Sequence, residues 1–250
     1  MSDRDKILLE ARQLSVEFNG FQALTDVNMK IHEGELHVII GPNGAGKTTF
    51  MDLVTGKSTP TAGIVLFEGI NITGKSTTEI TRKYHIGRKF QGPNVFDNMT
   101  VEENIEIAME GYSSMMRCVF FHKSASFIEK VSEILRLIDL YDYRHFMASD
   151  LSHGQRQWLE IGMVVAQNPK LIILDEPTAG MTADETFKTG EMIKRLKGEH
   201  TLIVVEHDMD FVRQVAEYVT VLNYGHVLAE GTMEEVQNNE EVIAVYLKED

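Results

Sequence analysis

Residues Gly41-Pro-Asn-Gly-Ala-Gly-Lys-Thr48 follow the order G-x-x-x-x-G-K-[ST]. The residue types define a chemistry. Gly41, Gly44 and Gly46 let the backbone bend tightly and turn successive N–H groups towards one anion. Lys47 supplies a point charge suited to β- and γ-phosphates, and the Thr48 hydroxyl is a hard oxygen donor for Mg²⁺. A helix beginning near Lys47 adds its positive dipole end to the same place. A nucleoside triphosphate is the expected ligand.

Four further positions carry chemistry of the same kind. Leu171-Ile-Ile-Leu174 is an apolar run ending in Asp175-Glu176, which puts two carboxylates at a strand's carboxyl end, where parallel α/β sheets bind ligands. Asp175 suits Mg²⁺, and Glu176 can orient or deprotonate an attacking water. Alone, the pair also reads as the start of a loop before Pro177; a P-loop upstream favours the chemistry. His207 follows the run Thr201–Val205 and is placed to contact a γ-phosphate, while Asp208 beside it reads as a helix N-cap. Gln91 ends the run Ile86–Phe90, and its side-chain oxygen can reach a metal ion or a water. Ser152-x-x-Gln155 is a capping-box pattern, and a helix start of this kind is also an anion site.

Positioning these groups requires a particular set of elements. Ile7–Phe18 alternates as a strand, Asn19-Gly20 is a turn, and Ala23–Ile31 returns. Strand Leu36–Ile40 leads into the glycine loop and helix Thr49–Thr55 leaves it, the context a P-loop needs. Strand Ile64–Phe67, a helix over Thr78–Tyr84 and strand Ile86–Phe90 follow. Thr100-Val-Glu-Glu103 predicts a capped helix over Val101–Glu110. Tyr112–Lys123 is rich in Met and aromatic residues without a period. Phe127, Ile128, Val131, Ile134, Leu135 and Ile138 recur at helical spacing, a stripe for packing rather than for a cofactor. From Asp150 helices and strands alternate: Ser152–Gln167, Leu171–Leu174, Thr182–Leu196, Thr201–Val205, Met209–Ala216, Val219–Leu222, Val227–Ala229 and a short helical tail. The fold class is α/β: a P-loop core of mostly parallel sheet with flanking helices, preceded by an N-terminal antiparallel β layer. One domain is expected over 1–250, with an ATP-binding core from 1–91 and 170–250 and a helical subdomain at 92–169.

Composition narrows the class. A length of 250 residues accommodates one such domain with its subdomain. The net charge of −14 argues against nonspecific binding to nucleic acid or anionic lipid. A single cysteine, Cys118, rules out an internal disulfide framework. Met1–Lys6 lacks the apolar core of a signal peptide, and no apolar run approaches the ~18 residues that span a bilayer. A cytoplasmic chain reaching the membrane only through partners is expected.

Taken in order, Gly41–Thr48, Gln91, Leu151–Gln155, Leu171–Glu176 and His207 resemble the motifs of an ABC transporter ATP-binding subunit, over essentially the whole chain. The resemblance implies a Walker A loop at Gly41, Pro42, Asn43, Gly44, Ala45, Gly46, Lys47, Thr48 and Thr49. It implies a Q-loop glutamine at Gln91, a signature at Ser152, Gly154 and Gln155, a Walker B aspartate at Asp175, a catalytic glutamate at Glu176 and a switch histidine at His207. Phe18 falls where the family stacks an aromatic ring on adenine, with Phe21 the lesser candidate. Two positions depart from the family pattern: His153 replaces a signature glycine, and Thr182 stands at the usual aspartate of the loop after Walker B. With Gly87–Gln91, Ser152–Met163, Ala179–Thr182 and Val205–Met209, these spellings resemble the urea-uptake branch of the hydrophobic amino acid and amide importers. The implied activity is ATP hydrolysis with Mg²⁺, in a homo- or heterodimer of cassettes that sandwiches ATP between Walker A of one and the signature of the other. Implied partners are permease subunits and, indirectly, a periplasmic or extracellular substrate-binding protein, with the chain peripheral on the inner face of the membrane. Branched-chain amino acid import and lipid export are the alternative cargoes. A P-loop small-molecule kinase would leave Leu151–Gln155 and His207 without a role, and a non-transport ABC protein would bring long coiled coil or a second cassette.

Overall fold

The computed structural model describes residues 6–89, 95–110 and 124–246. Strand β1 (Ile7–Phe18) turns back through Asn19-Gly20 into β2 (Phe21–His32). Both turn residues have positive φ, 50° and 85°, the backbone that matches the twist of a two-residue hairpin. With β4 (Ala62–Phe67) and β5 (Ile70–Asn71) they form an antiparallel sheet in the order β2-β1-β4-β5.

The second sheet positions the candidate site residues. Its strands are β3 (Leu36–Ile40), β6 (Ile86–Lys89), β7 (Leu171–Asp175), β8 (Thr201–Val205), β9 (Tyr218–Asn223) and β10 (His226–Gly231), in the order β10-β9-β3-β8-β7-β6. From β9 to β6 all pairings are parallel, and β10 is an antiparallel edge. Successive residues of the central strands face opposite cores, as a period of two requires. Val38, Ile172 and Val204 join a core with helices α5 (His153–Val165), α6 (Ala183–Leu196) and α7 (Met209–Val215). Ile39, Ile173 and Ile203 join a second core with α1 (Lys47–Val54) and the antiparallel sheet. Helix α2 (Thr77–Tyr84) leads into β6, and helices α8 (Met233–Gln237) and α9 (Glu240–Tyr246) form the tail.

Helices α3 (Val101–Glu110) and α4 (Ala125–Leu137) pack with α5 away from the sheet's strands. The apolar stripe on α4 is narrower than its sequence suggests: Val131 and Leu135 are buried, with Ile138 just beyond them, whereas Ile128 is 47% exposed. The helix lies against neighbours on one side only. The strand expected through Phe90 is seen to Lys89, and Phe90 and Gln91 lie outside the described residues, as does the unassigned stretch 112–123. The two-residue strand β5 was too short and too exposed to leave an apolar pattern.

Candidate nucleotide site

The buried strand β3 ends directly in the glycine loop. Gly41 adopts φ 150°, and a Cβ there would stand 2.1 Å from the Leu222 carbonyl oxygen. Gly46 adopts φ 102° as the N-cap of α1, where a Cβ would meet Leu24 at 2.6 Å and the Ala23 carbonyl at 2.9 Å. These glycines are therefore required by close backbone approach as well as by the turn. The loop is braced from the far end of the chain: Gly225 N–H donates to the Ala45 carbonyl at 3.0 Å, and Thr25 N–H donates to the Gly225 carbonyl at 2.8 Å. Lys47 is buried, with Nζ 2.5 Å from the Gly41 carbonyl and 3.0 Å from that of Pro42. Its ammonium is thus held inside the loop whose amides it complements. Thr48 is exposed at the loop's mouth, and Asn43 and Gly44 are exposed with it.

Asp175 and Glu176 emerge at the carboxyl end of β7, as their sequence context predicts. Asp175 is buried and Arg88 Nη2 lies 3.3 Å from its Oδ2. Burial raises the Asp175 carboxyl above its usual range, and the Arg88 guanidinium opposes that rise. Arg88 also donates to Asp52 of α1 at 2.6 Å and to Thr55 Oγ1 at 3.3 Å. One buried guanidinium therefore joins the helix after the P-loop, strand β6 and the carboxylate of β7. Glu176 adopts a left-handed backbone, φ 45°, unusual for a side chain of its size. His207 Nδ1 stands 3.7 Å from Glu176 Oε1, and the imidazole is 67% exposed. At that spacing the two side chains face one another without a direct hydrogen bond.

Two loops are pinned beneath these groups by Glu206, 1% exposed. Its Oε1 accepts from Thr178 N–H at 3.0 Å and Thr178 Oγ1 at 2.6 Å, and its Oε2 accepts from His207 N–H at 3.2 Å. Asp208 caps α7, accepting from Asp210 and Phe211 N–H, so the helix-opening role expected beside His207 is present. Arg88 and Glu206 belong to the site although no sequence motif singles them out. Two cations inside a short buried strand, Arg88-Lys89, were the available signal for the first; for Glu206 there was only its place before His207.

The Ser152 region packs against the loop that follows Glu176, with His153 Nε2 3.1 Å from the Ala179 carbonyl. Ser152 caps α5 in a full capping box with Gln155. Arg156 N–H makes the first intrahelical bond, to the Ser152 carbonyl at 2.9 Å, which leaves the His153 and Gly154 amides at the open first turn. Thr182 caps α6 in a second capping box with Glu185. Threonine at this position thus keeps the helix-start role that an aspartate would have. Phe18, at the end of β1, exposes 45% of its surface, and Phe21 across the turn exposes 67%. Gln91 lies outside the described residues, so its placement relative to Asp175 is not part of this geometry.

Thr48 and Asp175 offer hard oxygen donors, and no group of three His, Cys, Asp or Glu side chains is gathered among the described residues. That donor set fits Mg²⁺ shared with phosphates better than an all-protein metal cage.

A family model described as "ABC transporter" matches residues 24–179, and one described as "Branched-chain amino acid ATP-binding cassette transporter" matches residues 226–247. The chain belongs to the ATP-binding subunits of ABC transporters, in their branched-chain amino acid family. It is 34% identical to the high-affinity branched-chain amino acid transport ATP-binding protein BraF of Pseudomonas aeruginosa, covering 97% of this chain and 98% of the relative. Identity and coverage are the same for the Escherichia coli protein LivG. Among solved structures, the ADP conformation of MJ1267, an ATP-binding cassette of an ABC transporter, superposes with TM-score 0.83 at 30% identity, covering 96% of this chain and 98% of that one. A dimeric structure of the cassette MJ0796 gives TM-score 0.74 at 27% identity, covering 90% and 99%. The α/β cassette fold is shown, and with it an ATPase whose hydrolysis is coupled to transport. No helix among the described residues is long and apolar enough to cross a membrane.

Proposed function

We propose that this subunit powers import of a small amino acid or amide through separate permease subunits, as one of two cassettes that close on ATP. The observation that carries the paired arrangement is a division of contacts within the chain. The P-loop is braced by Ala23, Leu222 and Gly225, whereas the exposed start at Ser152 is tied to Ala179 and Glu185. The relatives assembled as dimers support the same arrangement.

In this reading Lys47 and the loop amides hold the β- and γ-phosphates, and Phe18 stacks on the base. When bound, Mg²⁺ would neutralise phosphate charge; Thr48, Asp175 and Gln91 are the residues to hold it. Glu176 orients the attacking water and takes up its proton, with His207 on the other side of the same space. Ser152, Gly154 and Gln155 form the α5 start, whose open His153 and Gly154 amides and Ser152 hydroxyl meet the γ-phosphate held by the partner cassette.

For cargo, the comparisons favour a branched-chain amino acid over urea, because the full-length relatives carry that name. Urea is the second reading, supported by the local spellings at Gly87–Gln91, Ser152–Met163, Ala179–Thr182 and Val205–Met209. The test is to purify the tagged chain from membranes with its companions and reconstitute the complex in vesicles. Labelled leucine and labelled urea are then supplied with the co-purified binding protein. ATP-dependent leucine uptake is expected, urea uptake alone would reverse the assignment of cargo, and uptake of neither would refute both.

A further inference from the structure

We propose that His153 is a positioning residue that links the signature end of one ATP site to Glu176 of the other. The link rests on the paired arrangement above, and each part of it within the chain is visible. The Ala179 carbonyl lies 3.1 Å from His153 Nε2. A carbonyl can only accept, so this bond requires the proton on Nε2, the ring atom that the Gln157 side-chain amide also approaches at 3.3 Å. The Gly180 backbone packs beneath the same ring: a Cβ on Gly180 would stand 3.2 Å from Nε2. Ala179 is in turn bound to the catalytic turn, its N–H donating to the Glu176 carbonyl at 3.2 Å. His153 is therefore one hydrogen-bonded residue away from Glu176, the residue held at φ 45°.

The rest of the contact is stiff. Gly154 approaches Glu185 so closely that a Cβ would stand 2.4 Å from its Oε1, and that carboxylate is committed to the Thr182 cap. One turn on, Trp158 Nε1 donates to Thr189 Oγ1 at 2.8 Å. Helices α5 and α6 are thus tied together, and the turn from Glu176 to Gly180, held at Thr178 by Glu206, transmits a displacement rather than absorbing it. A shift of the Ser152 helix start on engaging the partner's ATP would pull on Ala179 through His153 and reset Glu176 in the chain's own site. Both His153 and Ala179 are exposed. An approaching partner would cover their hydrogen bond and strengthen it, so the link tightens only when the cassettes close.

The test compares wild type with His153→Ala and His153→Gln in the full chain. Glutamine can place an amide N–H near the position of Nε2, whereas alanine cannot. Three quantities are read: equilibrium binding of a fluorescent ATP analogue, ATP-induced dimerisation in a Glu176→Gln background, and steady-state kcat and KM. His153→Ala is expected to bind and dimerise as the parent does, with kcat lowered about tenfold and KM unchanged, because a small misplacement of a catalytic group suffices for that loss. His153→Gln should recover most of the rate. Wild-type kcat in His153→Ala overturns the proposal, as does a loss confined to dimerisation or KM, or a glutamine variant no better than alanine. If Glu176→Gln with His153 intact does not dimerise, the paired reading fails instead, a result distinct from any of these.

Discussion

Arg88 shows how much of this site depends on one buried charge. Its guanidinium bridges Asp52 and Asp175 with only 4% of its side chain exposed. Methionine in its place would take the counter-charge from buried Asp175 and leave Asp52 with Lys57 alone of its two cations. Arg88→Met should lose about 3–5 kcal/mol of stability in urea unfolding, on the scale found when one partner of a buried pair is removed. Lysine should rescue only in part, since a single ammonium lacks the fork that reaches both acids. At Glu176 the expectation is kinetic. Glu176→Gln should bind ATP like wild type and turn over at least about a hundredfold more slowly, as loss of a general base implies; undiminished turnover would refute the assignment. Lys47, Thr48, Asp175, Glu176 and His207 were legible because each sits at a fixed offset from an apolar strand. Arg88 and Glu206 were not: the partners that define them lie 36, 87 and 28 residues away in the chain.

Elements were legible where a local rule fixes them. The capping boxes at Thr100 and Ser152 set helix starts to within a residue, and the central strands were marked by continuous apolar runs. Sheet order was not legible, because β3 lies between β8 and β9, strands that come more than 150 residues later. Two predictions belong to this scale. Thr182→Ala removes the α6 cap and should cost about 1 kcal/mol by chemical denaturation. It should also lower kcat, since Thr182 ends the loop that Ala179 and Gly180 begin. Gly46→Ala meets a harder obstacle, the Ala23 carbonyl at 2.9 Å and a left-handed backbone. It should lower the melting temperature and abolish binding of a fluorescent ATP analogue, because the loop cannot open on that side without displacing β2.

Across the whole molecule, the six-stranded sheet is tied to the antiparallel one where His32 N–H of β2 donates to Glu35 Oε2 at 2.8 Å, just before β3. His37, fully buried, lies between Glu35 Oε1 and Thr220 Oγ1, each 2.8 Å from a ring nitrogen, and so joins β3 to β9. Burial pushes the Glu35 carboxyl upward, but bonds from His37 and the His32 amide together bring it below its ordinary 4.5. A carboxyl lowered by folding stabilises the protein above its unfolded value, and that contribution is lost as pH falls through the folded one. Stability followed by denaturant titration should therefore drop on the acid side below about pH 4.5. Glu35→Gln should flatten that part of the curve.

The brace that Gly225 places on the P-loop also sets an order of events during synthesis. Residues 41–48 leave the ribosome early, yet β3 acquires its flanking strands only with Thr201–Val205 and Tyr218–Asn223, and the Ala45 carbonyl finds its donor only at Gly225. Contacts of such long sequence separation form late. A nascent chain truncated before β9 would carry the complete phosphate-binding motif without the support that shapes it. Competence to hold ATP thus waits until Gly225 has been made, about 180 residues after the motif itself.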